Sequence, residues 1–154
     1  MKIEKRLKEL NIKLPECPKP AAIYVPVVLS DQFIFVSGQT PKDGSTLLYK
    51  GKLGRDLTVE EGYDASRVCV LRCISALKSI VGNLDNIESI VKLTGYVNSS
   101  DDFYEQSSVI NGASELIEEI FEDKGKHARV AVGTNVLPGN AAVEIEMIAK
   151  IKEI

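Results

Sequence analysis

The residues of this chain that could carry out chemistry are few. The 154 residues contain one histidine, His127, and lack a Gly-x-Ser-x-Gly nucleophile elbow, a phosphate loop ending in Gly-Lys-Ser/Thr and a His-Glu-x-x-His metal motif. One histidine cannot hold a metal ion alone, and His127 lies in a Gly-Lys-His-Ala stretch that is typical of a surface loop. Any catalysis must therefore use carboxylates, arginine, backbone groups and water.

Arg129, Glu144 and Glu146 form the strongest candidate set for such chemistry. They lie in two stretches, 129–136 and 141–151, whose alternating apolar residues predict strands. A Leu-Pro-Gly-Asn sequence between the stretches has the composition of a turn. The sequence therefore predicts a C-terminal hairpin that carries all three side chains.

Pairing in such a hairpin decides which side chains share a face. Centring it on the turn places Arg129 opposite Ile148 and Glu144 opposite Gly133, so that Arg129, Glu144 and Glu146 project from one face. Arg129 and Glu144 would then lie roughly 13 Å apart along the ladder and would flank a site. A second interpretation stays open, in which the three residues form solvated or interfacial salt bridges. The opposite face would carry Val143, Ile145 and Met147 toward the helices.

Thr58 begins the helix that the sequence marks most clearly. Thr58-Val-Glu-Glu61 is a capping box, in which each end residue satisfies the other's backbone N–H. Gly82-Asn83 ends the helix. Apolar residues at helical spacing form one stripe along it: Ala65, Cys69, Cys73, Ala76, Leu77 and Ile80.

Strands surround this helix in the predicted order β-β-(β)-α-β-α-β-β. A hairpin turns at Ser30-Asp31-Gln32, a long strand occupies 87–98, and a second helix ends at Gly125. The remaining predicted strands are 23–29, 32–37, a short one around 45–50, 129–136 and 141–151. This order indicates an α+β fold, a sheet of five to six strands with two helices on one face. Ile90, Tyr96 and Ile148 would lie on the other face, and a partly apolar uncovered face indicates an oligomer.

Charge and composition exclude several classes of protein. The net charge is −3 and the basic residues are scattered, whereas a nucleic-acid-binding protein needs a concentrated basic face. No apolar run is long enough for a signal peptide or a membrane span, which favours a cytoplasmic protein. The cysteines, Cys17, Cys69 and Cys73, lack the spacing of a disulfide framework. Cys69 and Cys73 are expected in the core, because free cysteine behaves as a small hydrophobe.

The N-terminus is predicted to be an extension of the domain. Residues 2–10 have the spacing of a short amphipathic helix, and a Pro-rich piece from Pro15 to Pro20 follows. We therefore assign residues 1–19 to an extension and 20–154 to a single domain.

Three stretches resemble motifs of the RidA/YjgF family of reactive-intermediate deaminases. HARVAVGTNVLPGNAAVEIEMIA resembles its C-terminal signature, FIFVSGQTP its second-strand motif, and VKLTGYVNSSDDF a stretch in the family's order. The resemblance covers about residues 20–152. It implies a chorismate-mutase-like α+β domain that forms homotrimers, with the sheets packed inward and the sites in clefts between subunits.

The resemblance also implies roles for individual residues. Arg129 takes the place of the arginine that binds the substrate carboxylate, and Glu144 that of the glutamate that positions the attacking water. Ser37, Gly38, Tyr24 and Asn111 match residues that line the substrate pocket. The implied reaction is hydrolysis of 2-iminopropanoate or 2-iminobutanoate to the 2-keto acid and ammonia, with no metal or organic cofactor.

Departures from the family pattern indicate a divergent subgroup. Ala131 stands where many members have Cys or Thr, and the stretch before Arg129 is longer than in archetypal members. An alternative function is a non-catalytic trimer that binds small carboxylic acids or acts as a chaperone-like regulator. Ribonuclease activity, which has been attached to some relatives, is disfavoured by the acidic balance of the chain.

Overall fold

The computed structural model describes residues 2–19 and 22–153. Within them the chain forms three α-helices and seven strands, and short 3₁₀ turns lie at 84–86, 122–125 and 138–140. The elements are α1 (Ile3–Glu9), β1 (Val27–Ser30), β2 (Phe33–Gln39), β3 (Lys42–Asp43), β4 (Thr46–Leu47), α2 (Val59–Val81), β5 (Ile87–Asn98), α3 (Gln106–Phe121), β6 (Ala128–Thr134) and β7 (Val143–Ile151). The predicted α+β class is confirmed.

Five strands form one mixed sheet in the order β1-β2-β7-β5-β6, and β3 and β4 form a separate small hairpin. All neighbouring pairs are antiparallel except β5 and β6, which are parallel. The predicted pairing of β6 with β7 is therefore wrong, because β5 lies between them. The reason is that α3 connects β5 to β6 as a crossover, which docks β6 parallel to β5. The segment 135–142 then steps across the end of β5.

Helices α2 and α3 cover one face of the sheet. Val143, Ile145 and Met147 point into this layer and are buried, as predicted. Cys69 and Cys73 of α2 are also fully buried against them. The core thus lies between the sheet and the helix pair.

The opposite face, which we call the open face, is not covered by any helix of the described residues. Tyr96 and Ile148 lie on this face, as predicted, with Phe35 beside Ile148 on the neighbouring strand. The prediction that Ile90 points the same way is wrong. A β-bulge between Ile90 and Lys92 shifts the register of β5, so Ile90 pairs with buried Ala149 and is 1% exposed.

The capping box at the start of α2 is present as the sequence predicts. The Thr58 hydroxyl accepts from the Glu61 N–H at 3.2 Å, and the Glu61 carboxylate accepts from the Thr58 N–H at 2.8 Å. At the other end Gly82 has a φ of +68° and its N–H donates to the Lys78 carbonyl, which closes the last turn. These local signals fix the length of the helix that supports the sheet.

The N-terminal extension packs against the helices. Ile3 and Leu7 of α1 are buried, which agrees with the predicted helix over 2–10. Farther along, the Pro15 carbonyl accepts from the Ser75 hydroxyl of α2 at 2.7 Å. Residues 20 and 21, where the predicted domain boundary and the end of the Pro-rich piece fall, lie outside the described residues. None of the helices in the described ranges is both long and apolar enough to cross a membrane.

Candidate functional site

Arg129 lies at the start of β6, on the face that carries the helices. It pairs with Leu93 of β5, which pairs in turn with Met147 of β7, and both of these are buried under the helices. The Arg129 guanidinium Nη1 donates to Asn111 Oδ1 at 2.8 Å and to Ser114 Oγ at 3.3 Å. We call Arg129, Asn111 and Ser114 the arginine half-site.

Close packing of the two helices positions this half-site. A Cβ on Gly112 would overlap the Tyr63 carbonyl oxygen, so only glycine lets α3 approach α2 at this point. Asn111 and Ser114 flank Gly112 and are spaced three residues apart, which places them side by side on α3. The resemblance-based assignment of Asn111 thus falls on a residue that contacts Arg129.

Glu144 lies on the open face. It pairs with Tyr96 of β5, whose hydroxyl donates to the neighbouring Glu146 at 3.0 Å. Arg129 therefore does not share a face with Glu144 and Glu146, and that part of the hairpin prediction is wrong. Arg129 and Glu144 are separated by two strand-to-strand distances across the sheet and by three residues along the strands. Their backbones are therefore roughly 14 Å apart.

A bulge in β2 brings Gly38 against Glu144. The register between β2 and β7 shifts between Val36 and Gln39, so that Ser37 and Gly38 together oppose one residue of β7. A Cβ on Gly38 would overlap Glu144 Oε1 and would lie 3.1 Å from its Cδ. Glycine is thus the residue that leaves room for the Glu144 carboxylate in this position.

Ser37 holds the segment that carries Tyr24 against the same place. The Ser37 hydroxyl donates to the Val25 carbonyl at 2.7 Å, and the Ser37 N–H donates to the Pro26 carbonyl at 2.9 Å. Tyr24 is half exposed and lines, with Gly38, a groove of about 1010 Å³ between β2 and the N-terminal extension. We call Glu144, Gly38, Ser37 and Tyr24 the glutamate half-site.

Burial raises the pKa of the Glu144 carboxyl above its ordinary value, and the negative charge of Glu146 raises it further. A carboxylate with a raised pKa accepts a proton from water more readily, which suits a general base. Burial also raises the pKa of the Cys69 and Cys73 thiols, so both are poor nucleophiles. No group of three or more metal-ligating side chains occurs in the part of the chain that the structure describes.

Sequence reasoning assigned no role to Ser114 or His127. Ser114 Oγ lies 2.9 Å from His127 Nε2, so the histidine expected on the surface is instead half-buried and connected to Arg129 through a hydroxyl. The spacing of Asn111 and Ser114 on α3 was the available signal. It becomes informative only when β6 is known to pack beside α3.

Comparison with known proteins places the chain in a family. Residues 4–151 match the model of a family described as YjgF/chorismate mutase-like, putative endoribonuclease. A Trypanosoma cruzi protein named TCP17 is 44% identical over 97% of this chain and 94% of its own length. A RutC family protein of Aquifex aeolicus is 34% identical over 90% of this chain and 97% of its own.

Two solved structures share the fold closely. A protein of unknown function from Agrobacterium tumefaciens is 41% identical, with a TM-score of 0.90 over 97% of this chain and 92% of its own. A protein described as a putative endoribonuclease from Shewanella oneidensis is 34% identical, with a TM-score of 0.94 over 98% of this chain and all of its own. A Thermotoga maritima protein with the same description has a TM-score of 0.61.

Proposed function

Because this chain belongs to the RidA/YjgF family, we propose that it hydrolyses 2-imino acids such as 2-iminopropanoate and 2-iminobutanoate to 2-keto acids and ammonia. The observation that carries the proposal is the set of groups that contact the Arg129 guanidinium. Among the described residues no carboxylate lies within 4.0 Å of its guanidinium, which is held by two neutral oxygens. Its positive charge is therefore available to a ligand carboxylate.

A planar guanidinium suits a carboxylate because it donates two parallel hydrogen bonds and keeps its charge at any physiological pH. In the proposed reaction Arg129 holds the substrate carboxylate and thereby orients the adjacent C2=N bond. Glu144 takes a proton from water as the water oxygen bonds to C2. Glu144 passes that proton to the imine nitrogen, which gives a carbinolamine at C2. When the remaining hydroxyl proton follows it to nitrogen, the C–N bond breaks, ammonia leaves and C2 becomes a ketone. General-base help of this kind is worth about 10²–10⁴-fold.

Two half-sites on opposite faces of one sheet cannot act on the same small molecule. We therefore propose that a second copy of the chain supplies the glutamate half-site to the arginine half-site of the first, in a homotrimer with packed open faces. Apolar side chains support this arrangement, because half-exposed Phe35 and Val28 lie at one side of the open face and Val130 and Val132 at the other. Exposed apolar surface of this kind is typical of an interface.

An assay with a chemical trap tests the reaction. A purified threonine dehydratase generates the imine, semicarbazide traps it, and the semicarbazone is followed by absorbance with and without this protein. We expect the wild type to suppress semicarbazone formation, and Arg129→Ala and Glu144→Ala to lose this effect. Arg55→Ala removes an exposed arginine that pairs with Asp56 and serves as the matched control. A folded wild-type oligomer that leaves the semicarbazone unchanged would refute hydrolysis of this substrate.

Binding without hydrolysis is the second candidate function. The arginine half-site is complete within one chain and does not need Glu144, so a carboxylate could be held there without a positioned water. Calorimetry with 2-oxobutanoate separates the two candidates. Binding that survives Glu144→Ala, in a wild type without activity in the trap assay, would favour the non-catalytic function.

The proposed assembly has its own test. Phe35→Glu places a charge on the open face beside Ile148, and the proposed interface would have to bury that charge. We expect the wild type to have the mass of a trimer in light scattering and Phe35→Glu to be smaller and inactive. Lys8→Glu, an exposed change on α1, is the control. A monomeric and active wild type would contradict the composite site.

A further inference from the structure

The single histidine of the chain has both ring nitrogens engaged. His127 Nδ1 lies 2.6 Å from the Gly125 carbonyl oxygen, which can only accept, so Nδ1 carries the proton. In the neutral imidazole Nε2 is then an acceptor, to which the Ser114 hydroxyl at 2.9 Å donates its one hydrogen. Because that hydrogen is used, Ser114 Oγ presents only lone pairs to Arg129.

Those lone pairs decide which edge of the guanidinium is free. Nη1 of Arg129 has two hydrogens, and it has two acceptors, Asn111 Oδ1 at 2.8 Å and Ser114 Oγ at 3.3 Å. One hydrogen on Nε and two on Nη2 remain, and the Nε hydrogen is parallel to one of the Nη2 hydrogens. This edge is one on which a carboxylate forms two hydrogen bonds.

We propose that Ser114 and His127 are positioning residues that turn the Nε–Nη2 edge of Arg129 toward a ligand carboxylate. The proposal rests on the function proposed above, since it names what prepares the carboxylate-binding group. His127 acts only through Ser114 and touches no substrate. The Gly125 carbonyl that holds His127 is fixed in place by close packing, because Gly125 is buried and a Cβ there would lie 2.7 Å from the Ile117 carbonyl oxygen of α3.

Binding of 2-oxobutanoate, measured by calorimetry, tests the proposal without turnover. We expect Ser114→Ala to weaken binding about five-fold, the value of one ordinary hydrogen bond. His127→Phe should weaken it by less, because the hydroxyl is still present but free to turn away. Ser107→Ala, at an exposed serine in the first turn of the same helix, should bind like the wild type.

The double variant separates positioning from packing. Since His127 works through Ser114, Ser114→Ala combined with His127→Phe should bind no more weakly than Ser114→Ala alone. His127→Gln, which retains an acceptor, should recover most of the loss seen in His127→Phe. In the trap assay Ser114→Ala should raise KM and leave kcat nearly unchanged, because the carboxylate is held alike in ground and transition states.

A readout without ligand keeps this inference separate from the proposed function. The ¹⁵N–¹H signals of the Arg129 side chain should show hindered rotation in the wild type and faster rotation in Ser114→Ala. If Arg129→Ala binds 2-oxobutanoate normally, Arg129 does not bind the carboxylate and the proposed function is wrong. The Arg129 signals of the wild type and of Ser114→Ala would still report on Ser114 and His127. Equal signals and equal binding in Ser114→Ala and Ser107→Ala would overturn the positioning role. So would additive losses in the double variant.

Discussion

Gly38 offers the most direct test of the position of Glu144. A Cβ at residue 38 would overlap Oε1 of Glu144 and lie 3.1 Å from Cδ and 3.2 Å from Cγ, where ordinary contacts are 3.4–4 Å. Gly38→Ala must therefore displace the carboxyl group, by about 1 Å. A misplacement of that size in a catalytic group can cost about 10²-fold in rate. We expect kcat in the trap assay to fall by about that factor.

The same substitution should cost little stability. Gly38 does not have a positive φ, and the atoms that the new methyl group meets belong to a flexible side chain. We expect the free energy of unfolding, from urea titration, to change by less than about 1 kcal/mol. Binding of 2-oxobutanoate should also survive, because the carboxylate is held by the arginine half-site, whose residues Arg129, Asn111 and Ser114 do not contact Gly38.

A double variant identifies the route of the effect. If Gly38→Ala acts only by moving Glu144, then adding it to Glu144→Ala should cause no further loss of activity. Glu60→Gln, at an exposed carboxylate in the first turn of α2, is the control for a change of charge. Wild-type turnover in Gly38→Ala would show that catalysis does not need the Glu144 carboxylate where the structure places it.

Three further predictions concern stability and pH. Thr58→Ala removes the capping box with Glu61 and should lower the free energy of unfolding by about 1 kcal/mol, measured by urea titration beside Ser79→Ala. Leu7→Ala truncates a buried side chain of α1 and should lower it by about 2–3 kcal/mol in the same titration, whereas an unchanged value would show that α1 is dispensable. Because the pKa of Glu144 is raised in the folded state, ionising it costs stability as pH rises through that pKa. Glu144→Gln should therefore gain stability relative to the wild type at pH 7, and the gain should vanish below the unfolded pKa of about 4.3.

The local elements could be predicted from the sequence because their signals are local. Thr58, Glu61 and Gly82 set the ends of α2 through contacts within one or two turns, and the structure contains them as predicted. The apolar patterns predicted β2, β5, β6 and β7 to within two residues at each end, and the burial of Val143 and Ile145. The strand predicted over 23–29 begins only at Val27. The family motifs were equally local, and the match over residues 4–151 agrees with them.

Strand pairing could not be predicted in the same way. A turn sequence between β6 and β7 favours a hairpin, but the crossover helix α3 docks β6 on the far side of β5. The β-bulge between Ile90 and Lys92 also brings Ile90 into the core, because side chains alternate with a period of two and a shift of one residue reverses the face. These outcomes depend on contacts between segments that are distant in the sequence.

The fold class, the ends of α2 and the residue types available for chemistry could all be predicted from the amino-acid sequence. Which of those residues meet depends on the folded chain, which brings Arg129 to Asn111 and Ser114 on one face of the sheet and Glu144 to Gly38 on the other. Helix caps and apolar alternation are short-range properties of the chain. The face and the neighbours of a strand residue are instead set by long-range pairing and by where a bulge shifts its register.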